Sequence, residues 1–497
     1  MKKIYILPLL GATLFFSCTN ELDQNPVSDI GSENFYRDED DFEQAINGIY
    51  SSLQTYPDHQ LVLSEIRSDN MYAITNSGIR DHEPVNNFFP TIATNSYIAE
   101  VWSKDFEGIL RANTVLDRMT DEAVPDENMR NRMIGEARFM RAFFYFDLVR
   151  FYGKVPLLDH VVTPEESLEI GRSNVSEIYT LIIADLEDAI NKLPESYPAE
   201  QRGKVTLWAA KAMLGKVYLT RSGTSYDIEG PGMDSGEYDL ALSLFDDIIN
   251  NGPYAFIDDY DTIFAYDNEN NSEIIFDIQY KDGSLGIGAT YPGLFVPDNY
   301  FEAIGIPFPA GGEYKAPSEN LLHSFDDNDI RYNTIFQEGY TDANGNPIAD
   351  IFIVKFLDTE NPGTDRFDWP INFPLIRYTE VLMMKAEAIL FGGTGNPSDA
   401  DEIVNRIRDR ANLQPLTAVT TDQFLEEKRR EFAGEGTRWH DLVRSGKVLD
   451  IMNTWIPEDD VSDKIQAPIN QNSIIYPLPS TQITVKEGLY DQNPGYN

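Results

Sequence analysis

Sugar rings pack their axial C–H groups on aromatic faces, and their hydroxyls hydrogen-bond to carboxylates, amides and guanidinium groups. Two stretches of this sequence mix those residue types without a regular period. The first runs from Asp69, Asn70 and Tyr72 through Arg80 to Asn95 and Tyr97. The second carries Tyr291, Phe295, Tyr300, Phe308, Tyr314 and Trp369 among prolines and glycines that hold loops open and semi-rigid. Asp69, Asn70, Tyr72, Arg80, Asn95, Tyr97, Tyr291, Tyr300, Tyr314 and Trp369 are therefore the candidate ligand-binding residues, with Tyr72, Arg80 and Tyr97 favoured. The competing reading makes them structural: Phe88 and Phe89 as core, Asp69 as a turn cap, and aromatics without helical spacing as packing beneath loops.

Other chemistries lack their signatures. The chain has no His-Glu-x-x-His, no Gly-x-Ser-x-Gly and no phosphate loop, and Gly283, Gly286 and Gly288 have the wrong spacing for a dinucleotide fold. No catalytic residue, cofactor or metal site is assigned. Asp342-Ala343-Asn344-Gly345-Asn346 alternates oxygen ligands as calcium loops do, but lacks the following glutamate, and reads as a turn. His440 reads as a satisfied core histidine. With 82 acidic residues a pair of carboxylates at glycosidase spacing always exists somewhere, so a surface glycoside hydrolase stays as an alternative.

Helices must position these stretches. Phe42, Ala45, Ile46, Ile49, Tyr50 and Leu53 follow the i, i+3, i+4, i+7 spacing of an amphipathic helix from Asp40. Ile98–Met119 and Met129–Tyr152 carry further apolar stripes, the second stopped by Gly153 and Pro156. Asn174 and Glu177 form a capping-box pattern for a helix that Pro194 ends. Thr206–Arg221 pairs with Glu237–Asn250, whose Leu240, Ala241, Leu244 and Ile248 are expected to point inward. Leu375–Phe391 pairs in the same way with Ser398–Ala411, and such pairs stack into solenoids. Residues 253–372 differ in kind. They are rich in Gly, Pro, Asn, Asp and aromatics, with short strand-like runs at Glu273–Tyr280 and Ile351–Phe356. Loops this long are functional or disordered, and the aromatic density argues for function.

The chain opens with Met1-Lys2-Lys3, an apolar stretch from Ile4 to Phe16, and Ser17-Cys18. That is the pattern of a secretory signal, too short to span a bilayer at the roughly 20 residues a helix needs. Cys18 is the chain's one cysteine, so it forms no internal disulfide, and its place after the signal points to lipidation. The formal net charge is −43 at pH 7, and removing Lys2 and Lys3 makes it more negative. Phosphate backbones and anionic lipid headgroups repel such a surface, which excludes nucleic acid as a partner.

Several motifs in order carry a family resemblance: Glu136-Ala137-Arg138 through Arg150-Phe151-Tyr152-Gly153 with Val155-Pro156-Leu157; Ile376-Arg377-Tyr378-Thr379-Glu380 leading to Ala386-Glu387-Ala388; Asn405-Arg406-Ile407-Arg408-Asp409-Arg410-Ala411; Glu427-Lys428-Arg429-Arg430-Glu431-Phe432; Gly436-Thr437-Arg438-Trp439-His440-Asp441-Leu442; and Tyr476-Pro477-Leu478-Pro479 with Gln492-Asn493-Pro494-Gly495-Tyr496. Over nearly its whole length the chain resembles the SusD/RagB family of nutrient-binding outer-membrane lipoproteins. The resemblance implies a mainly α fold: a helical scaffold of degenerate tetratricopeptide-like pairs, a large loop-rich region and a few short strands. It implies a signal peptide over 1–17, a lipidated tether over 18–37 and one SusD-like domain over 38–497. Within that domain, scaffold falls at 38–252 and 373–497, and the binding loops at about 253–372. The implied role is to capture glycan at the cell surface of a Gram-negative bacterium, anchored in the outer membrane through Cys18, and to deliver it to a SusC-like TonB-dependent barrel. Peptide binding or a purely structural lid is the alternative the family allows. Asp69 and Arg80 match the family's binding loop, and Arg138, Arg141, Glu387, Arg429, Glu431 and Arg438, charged residues on otherwise apolar helices, read as structural ion pairs.

Overall fold

The helix Glu127–Tyr152 is apolar on almost every side: apart from Arg138, every residue from Gly135 to Tyr152 is buried. A helix with no solvated face must be enclosed by others. The computed structural model describes residues 35–73, 80–308, 315–460, 464–465 and 468–496. Its main helices are α1 (Glu39–Ser51), α2 (Ser96–Arg118), α3 (Glu127–Tyr152), α4 (Val175–Lys192), α5 (Leu207–Ser222), α6 (Tyr238–Asn251), α7 (Tyr378–Phe391), α8 (Pro397–Arg410), α9 (Thr421–Glu431), α10 (Arg438–Arg444) and α11 (Val448–Asp459). From α2 to α8 each helix packs against the next in chain order, α1 lies on α2 and α3, and α9 crosses α7 and α8. Sequential stacking of this kind is the architecture of a helical repeat array. Close approach is set by small residues: a Cβ on Gly108 of α2 would overlap the Phe144 ring of α3, and one on Gly215 of α5 would overlap Phe245 of α6. Among the described residues no helix is long and apolar enough to cross a membrane.

Local signals in the sequence account for the helix ends. Asp38 accepts a hydrogen bond from the Asp41 amide at 3.1 Å and starts α1. The Glu177 carboxylate accepts from the Asn174 amide at 2.9 Å at the start of α4. Gly153 closes α3 with φ of 67°, in the left-handed region that glycine enters without strain. Two expectations are corrected. The helix expected from Leu375 begins at Tyr378, because Phe373–Arg377 is a strand whose backbone pairs with Ile274–Ile278. In α6 Leu240 is 51% exposed, and Leu242 and Phe245 fill the core beside Ala241 and Ile248.

The array runs on from α6 to α7 as though the residues between them were an insertion. That insertion carries only short elements; among the described residues there are four two-stranded ladders, three of them with strands in the insertion. The strands are β1 (Met71–Ala73), β2 (Val155–Pro156), β3 (Arg172–Ser173), β4 (Ile274–Ile278), β5 (Lys315–Pro317), β6 (Phe336–Thr341), β7 (Pro347–Ile353) and β8 (Phe373–Arg377). All four pairs are antiparallel: β1 with β5, β2 with β3, β4 with β8 and β6 with β7. The β4–β8 pair closes the base of the insertion, and β1–β5 joins it to the N-terminal third. Asp342–Asn346 is the β6–β7 turn. Asp342 Oδ1 accepts from the Asn344 and Asn346 amides at 2.9 and 2.7 Å, so its lone pairs are spent on backbone, as an Asx turn requires.

Beneath the insertion lies a buried charge network. Glu431 of α9 is fully buried and takes Arg410 of α8 at 2.7 Å, Arg377 of β8 at 3.3 Å and Arg331 of the insertion at 3.2 Å. Arg410 also binds Glu273 at 2.7 Å, Arg377 binds Glu435 at 2.7 Å, and Arg331 binds Asp329 and Glu427, each at 2.7 Å. Lys355 reaches Glu435 at 2.6 Å, and burial brings its pKa down to about 8 against the pull of that carboxylate. The residues read as structural pairs all take such partners, among them Arg141 with Asp185 at 2.7 Å and Arg444 with Glu387 at 2.5 Å. His440 is buried, sits 3.0 Å from Gln60 Oε1, and is held neutral by burial and by the neighbouring Arg150, Lys216 and Arg444. Replacing one partner of a buried ion group costs about 3–5 kcal/mol, because the other charges are left uncompensated. Glu431→Gln is expected to lower the unfolding free energy by that order, read as a lower denaturant midpoint, and an unchanged midpoint would show that the three guanidinium groups do not depend on it.

Candidate functional site

The β1–β5 ladder fixes where the loops emerge. Ala73 pairs with Lys315, so the chain leaves β1 and enters β5 side by side. Asn86 stitches the same place together: its side chain donates to Ile66 O at 2.8 Å and accepts from the Ala73 amide at 3.3 Å. Around this ladder lie Arg80 and Asp81, both exposed, and the start of α2 with half-buried Tyr97 and exposed Glu100. His59 Nε2 lies 3.6 Å from Glu100 Oε2, and that contact holds the Glu100 carboxyl below its ordinary range. His82 is buried, and burial together with Lys315 and Arg80 brings it down to about 3, so it is neutral. Lys315 is 3% exposed and donates to Leu294 O at 3.4 Å. Asp58 takes the Thr290 hydroxyl, and burial raises its pKa to about 6 against that hydrogen bond.

Leu294 belongs to the second stretch, so Lys315 links the two from within. Arg366 donates to Val296 O at 2.7 Å and Asp298 O at 3.3 Å, with its guanidinium 5.2 Å from the Phe301 ring. The next residue, Phe367, is 40% exposed, the one large aromatic ring among the described residues that reaches this exposure. After it, Asp368 accepts from the Gly283 and Ser284 amides at 2.9 and 2.7 Å and from the Thr364 hydroxyl. One carboxylate thus pins two loops, which present Phe367, Leu285 at 61% and Ile287 at 37% exposure. The two loops therefore supply an exposed aromatic face and apolar contacts, with exposed Lys281, Ser284, Thr364 and Asp365 beside them, while Arg366 and Asp368 are buried and hold the loops in place. They can pack against an apolar ring face and bond its hydroxyls. Among the described residues no group of three His, Cys, Asp or Glu side chains is placed to hold a metal ion.

Most of the residues chosen from the sequence are buried and engaged with other parts of the chain. Asp69 is 1% exposed and forms a two-pronged pair with Arg438, both contacts at 2.8 Å. Asn70 donates to Glu65 at 2.7 Å and accepts from Arg429 at 2.8 Å. Tyr72 stacks on Trp455 with centroids 6.1 Å apart, and its hydroxyl accepts from the Glu319 amide. Asn95 caps α2, accepting from the Tyr97 amide at 3.1 Å and donating to Asp81 O. Tyr291 is fully buried and donates to Ile371 O and Asn372 O. Tyr300 is 4% exposed and bonds Gln337 at 2.9 Å, and Trp369 is fully buried with its Nε1 on Arg366 O at 2.8 Å. Their polar atoms are spent and their faces covered, so no ligand reaches them without opening the core. Arg80 and Tyr97 remain at the surface; Tyr314 and Cys18 lie outside the described residues. The sequence reading missed the exposed Phe367 and Glu100. Phe367 had a visible signal: an apolar ring inside the polar run Gly363-Thr364-Asp365-Arg366-Phe367-Asp368.

Two family descriptions match the chain: "Starch-binding associating with outer membrane" over residues 22–219 and "SusD family" over residues 340–496. SusD-like protein P25 of Formosa agariphila is 26% identical, across 90% of this chain and 91% of its own length. A solved structure titled as a laminarin-binding SusD-like protein is 26% identical, with a TM-score of 0.74, covering 93% of this chain and 100% of that one. Surface glycan-binding protein A from Bacteroides thetaiotaomicron, in complex with laminarihexaose, shares the fold at a TM-score of 0.76 and 23% identity, covering 92% of this chain and 99% of that one.

Two predictions follow from the burial of these residues. Trp369→Ala and Tyr300→Ala are each expected to cost about 3–5 kcal/mol of stability, read as a lower melting temperature, whereas a ligand-only role would leave melting unchanged. Burial alone would raise Asp69, but Arg429 and Arg438 outweigh it and hold the carboxyl at about 2. A depressed carboxyl stabilises the fold above its unfolded pKa of about 3.9 and loses that contribution as pH falls toward 2. Asp69→Asn should therefore lower stability at neutral pH and flatten its fall between about pH 4 and 2; an unaltered acid limb in chemical denaturation would refute the pairing.

Proposed function

Because the chain belongs to the SusD/RagB-like family, we propose that it is a cell-surface, lipid-anchored glycan-binding protein that captures oligosaccharide and hands it to a SusC-like TonB-dependent transporter. Glycan binding is carried by one observation above the others: Phe367 is an exposed ring on a loop that the next residue, Asp368, pins to the Gly283–Ser284 loop, where Leu285 and Ile287 are exposed as well. A rigid exposed ring beside charged and amide groups suits a neutral polyhydroxylated ligand, since stacking needs an apolar face and hydroxyls need both donors and acceptors. The chain's strong negative charge fits the same ligand class, because an uncharged sugar is indifferent to a field that repels anions.

Anchorage through Cys18 and delivery to a barrel partner follow from family membership and the signal pattern at the N-terminus. In this reading the protein binds without cleaving, and the array provides the rigid support on which the loops are displayed. The printed names of the relatives mention laminarin, laminarihexaose and starch, so laminarin and starch oligosaccharides are the first ligands to offer.

The test is a binding screen by affinity electrophoresis and calorimetry against laminarin, starch and other polysaccharides, with chromatography of the same mixtures for products. Binding without new reducing ends is expected. Phe367→Ala should weaken the best ligand by about 5- to 10-fold, the order of ~1 kcal/mol for an aromatic contact, with little change in melting temperature. Released product would overturn the non-catalytic reading, and no binding to any glycan would favour a peptide ligand or a structural lid.

A further inference from the structure

A second cavity lies between the array and the base of the insertion, and it shares no lining residue with the surface just described. Its volume is about 310 Å³. One wall is the segment after α4, with Glu195, Tyr197 and Arg202; the other is Tyr254 and Asn270, with Phe276 of β4 among the residues behind. The cavity is near the lower end of the roughly 300–1,000 Å³ range of small-ligand pockets, the size of a short saccharide.

The chemistry of the walls is mixed in a particular way. Tyr197 and Tyr254 are half-buried, and their hydroxyls make long contacts, Tyr197 to Glu136 at 3.5 Å and Tyr254 to Thr206 at 3.4 Å. Each side chain can offer a ligand its ring and a loosely bonded hydroxyl. Arg202 and Glu195 are exposed, and neither has an ion-pair partner among the described residues. In a chain where most guanidinium groups are consumed by carboxylates, an uncommitted Arg202 at the lip of a cavity is distinctive. Asn270 holds its backbone at φ of 53°, in the left-handed region, where its short amide is tolerated, and only a long contact of 3.4 Å to Gln279 occupies its side chain. Lys204 and Asp277 also line the cavity but are engaged with Glu43 and with Gln279 and Asn372, so two ring surfaces with the Arg202 guanidinium, the Glu195 carboxylate and the Asn270 amide are what is left for a pyranose, with its apolar face and its hydroxyls. A phosphorylated ligand would meet Glu195 and the general negative field, and a purely apolar ligand would leave Arg202 and Glu195 unmatched.

We propose that this cavity is a second carbohydrate subsite, binding one end of a short neutral oligosaccharide between Tyr197 and Tyr254 with Arg202, Glu195 and Asn270 on its hydroxyls. The inference rests on the glycan-binding reading above and adds to it: two separated subsites on one chain let a long polysaccharide be held at two points, which raises its retention without a tighter single site.

The test uses the full mature chain with laminarihexaose and maltoheptaose as probes, in calorimetry and in crystals soaked with each. Two sites per chain for at least one probe are expected, with sugar density in the cavity. Arg202→Ala, an exposed residue without a structural partner, should weaken the cavity site by roughly 10-fold or more and leave melting and the Phe367 site unchanged; Phe367→Ala should do the reverse. Retention on the long polysaccharide should fall in both variants. A single site, insensitive to Arg202→Ala and with density only beside Phe367, would overturn the second subsite and leave the glycan-binding function standing. Absence of binding by both probes and of density at both places would overturn the two together.

Discussion

Everything in this structure that faces a ligand depends on a charge buried where none can be seen from outside. Glu431 sits at the end of α9 and accepts guanidinium groups from α8, from β8 and from the insertion between α6 and α7. Charges of this kind are expensive to desolvate, and only near-complete pairing makes the arrangement tolerable. That requirement fixes geometry. Arg377 must stand where both Glu431 and Glu435 can reach it, which holds β8 in register against β4 and so closes the base of the insertion. A purely apolar junction of the same size would bury as much surface, yet it would tolerate sliding; directional pairs do not.

The insertion is therefore anchored at its base and free to vary at its outer edge. Its strands are short and its apolar contacts run inward, through Tyr291, Tyr300, Trp369 and Phe301, into the continuous core of the array. The outer loops are held instead by single polar contacts, such as Asp368 to the Gly283 and Ser284 amides and Arg366 to the carbonyls of Val296 and Asp298. The division separates two tasks. The aromatic cluster supplies rigidity, each large ring contributing a few kcal/mol by burial, while the polar clamps set which side chains are displayed. Phe367 and Trp369 show how fine the division is: two residues apart, one faces water and the other is sealed with its indole nitrogen bonded to Arg366.

Acidic composition completes the picture. The cationic side chains are disproportionately committed to buried or half-buried pairs, so the outer surface keeps the carboxylates. Such a surface stays soluble at high local density and discourages nucleic acid and anionic lipid. Not every cation is committed in this way: Arg202 at the cavity lip is exposed and takes no ion-pair partner among the described residues.

How much of this could be read from the residues alone follows from which physical signals are local. Helix periodicity, the capping pattern of Asn174 and Glu177, the glycine stop at Gly153 and the contrast of residues 253–372 with their surroundings are all short-range, and each marked its element. The ordered motifs around Glu136–Gly153 and Glu427–Leu442 marked the family, and their charges marked ion pairs without naming partners. What stayed hidden depends on residues far apart in the chain. Asp69 and Arg438 are joined only by the fold, so Asp69 looked like a ligand contact until its carboxylate was found occupied. Burial of an aromatic in an aperiodic loop has no local signature either, because the pattern does not say which side the rest of the chain will cover. Sequence thus determined the helical array, the loop-rich insertion and the family; tertiary structure decided which aromatic rings and which charges were left facing outward, since exposure is set by what packs on top and not by the residue itself.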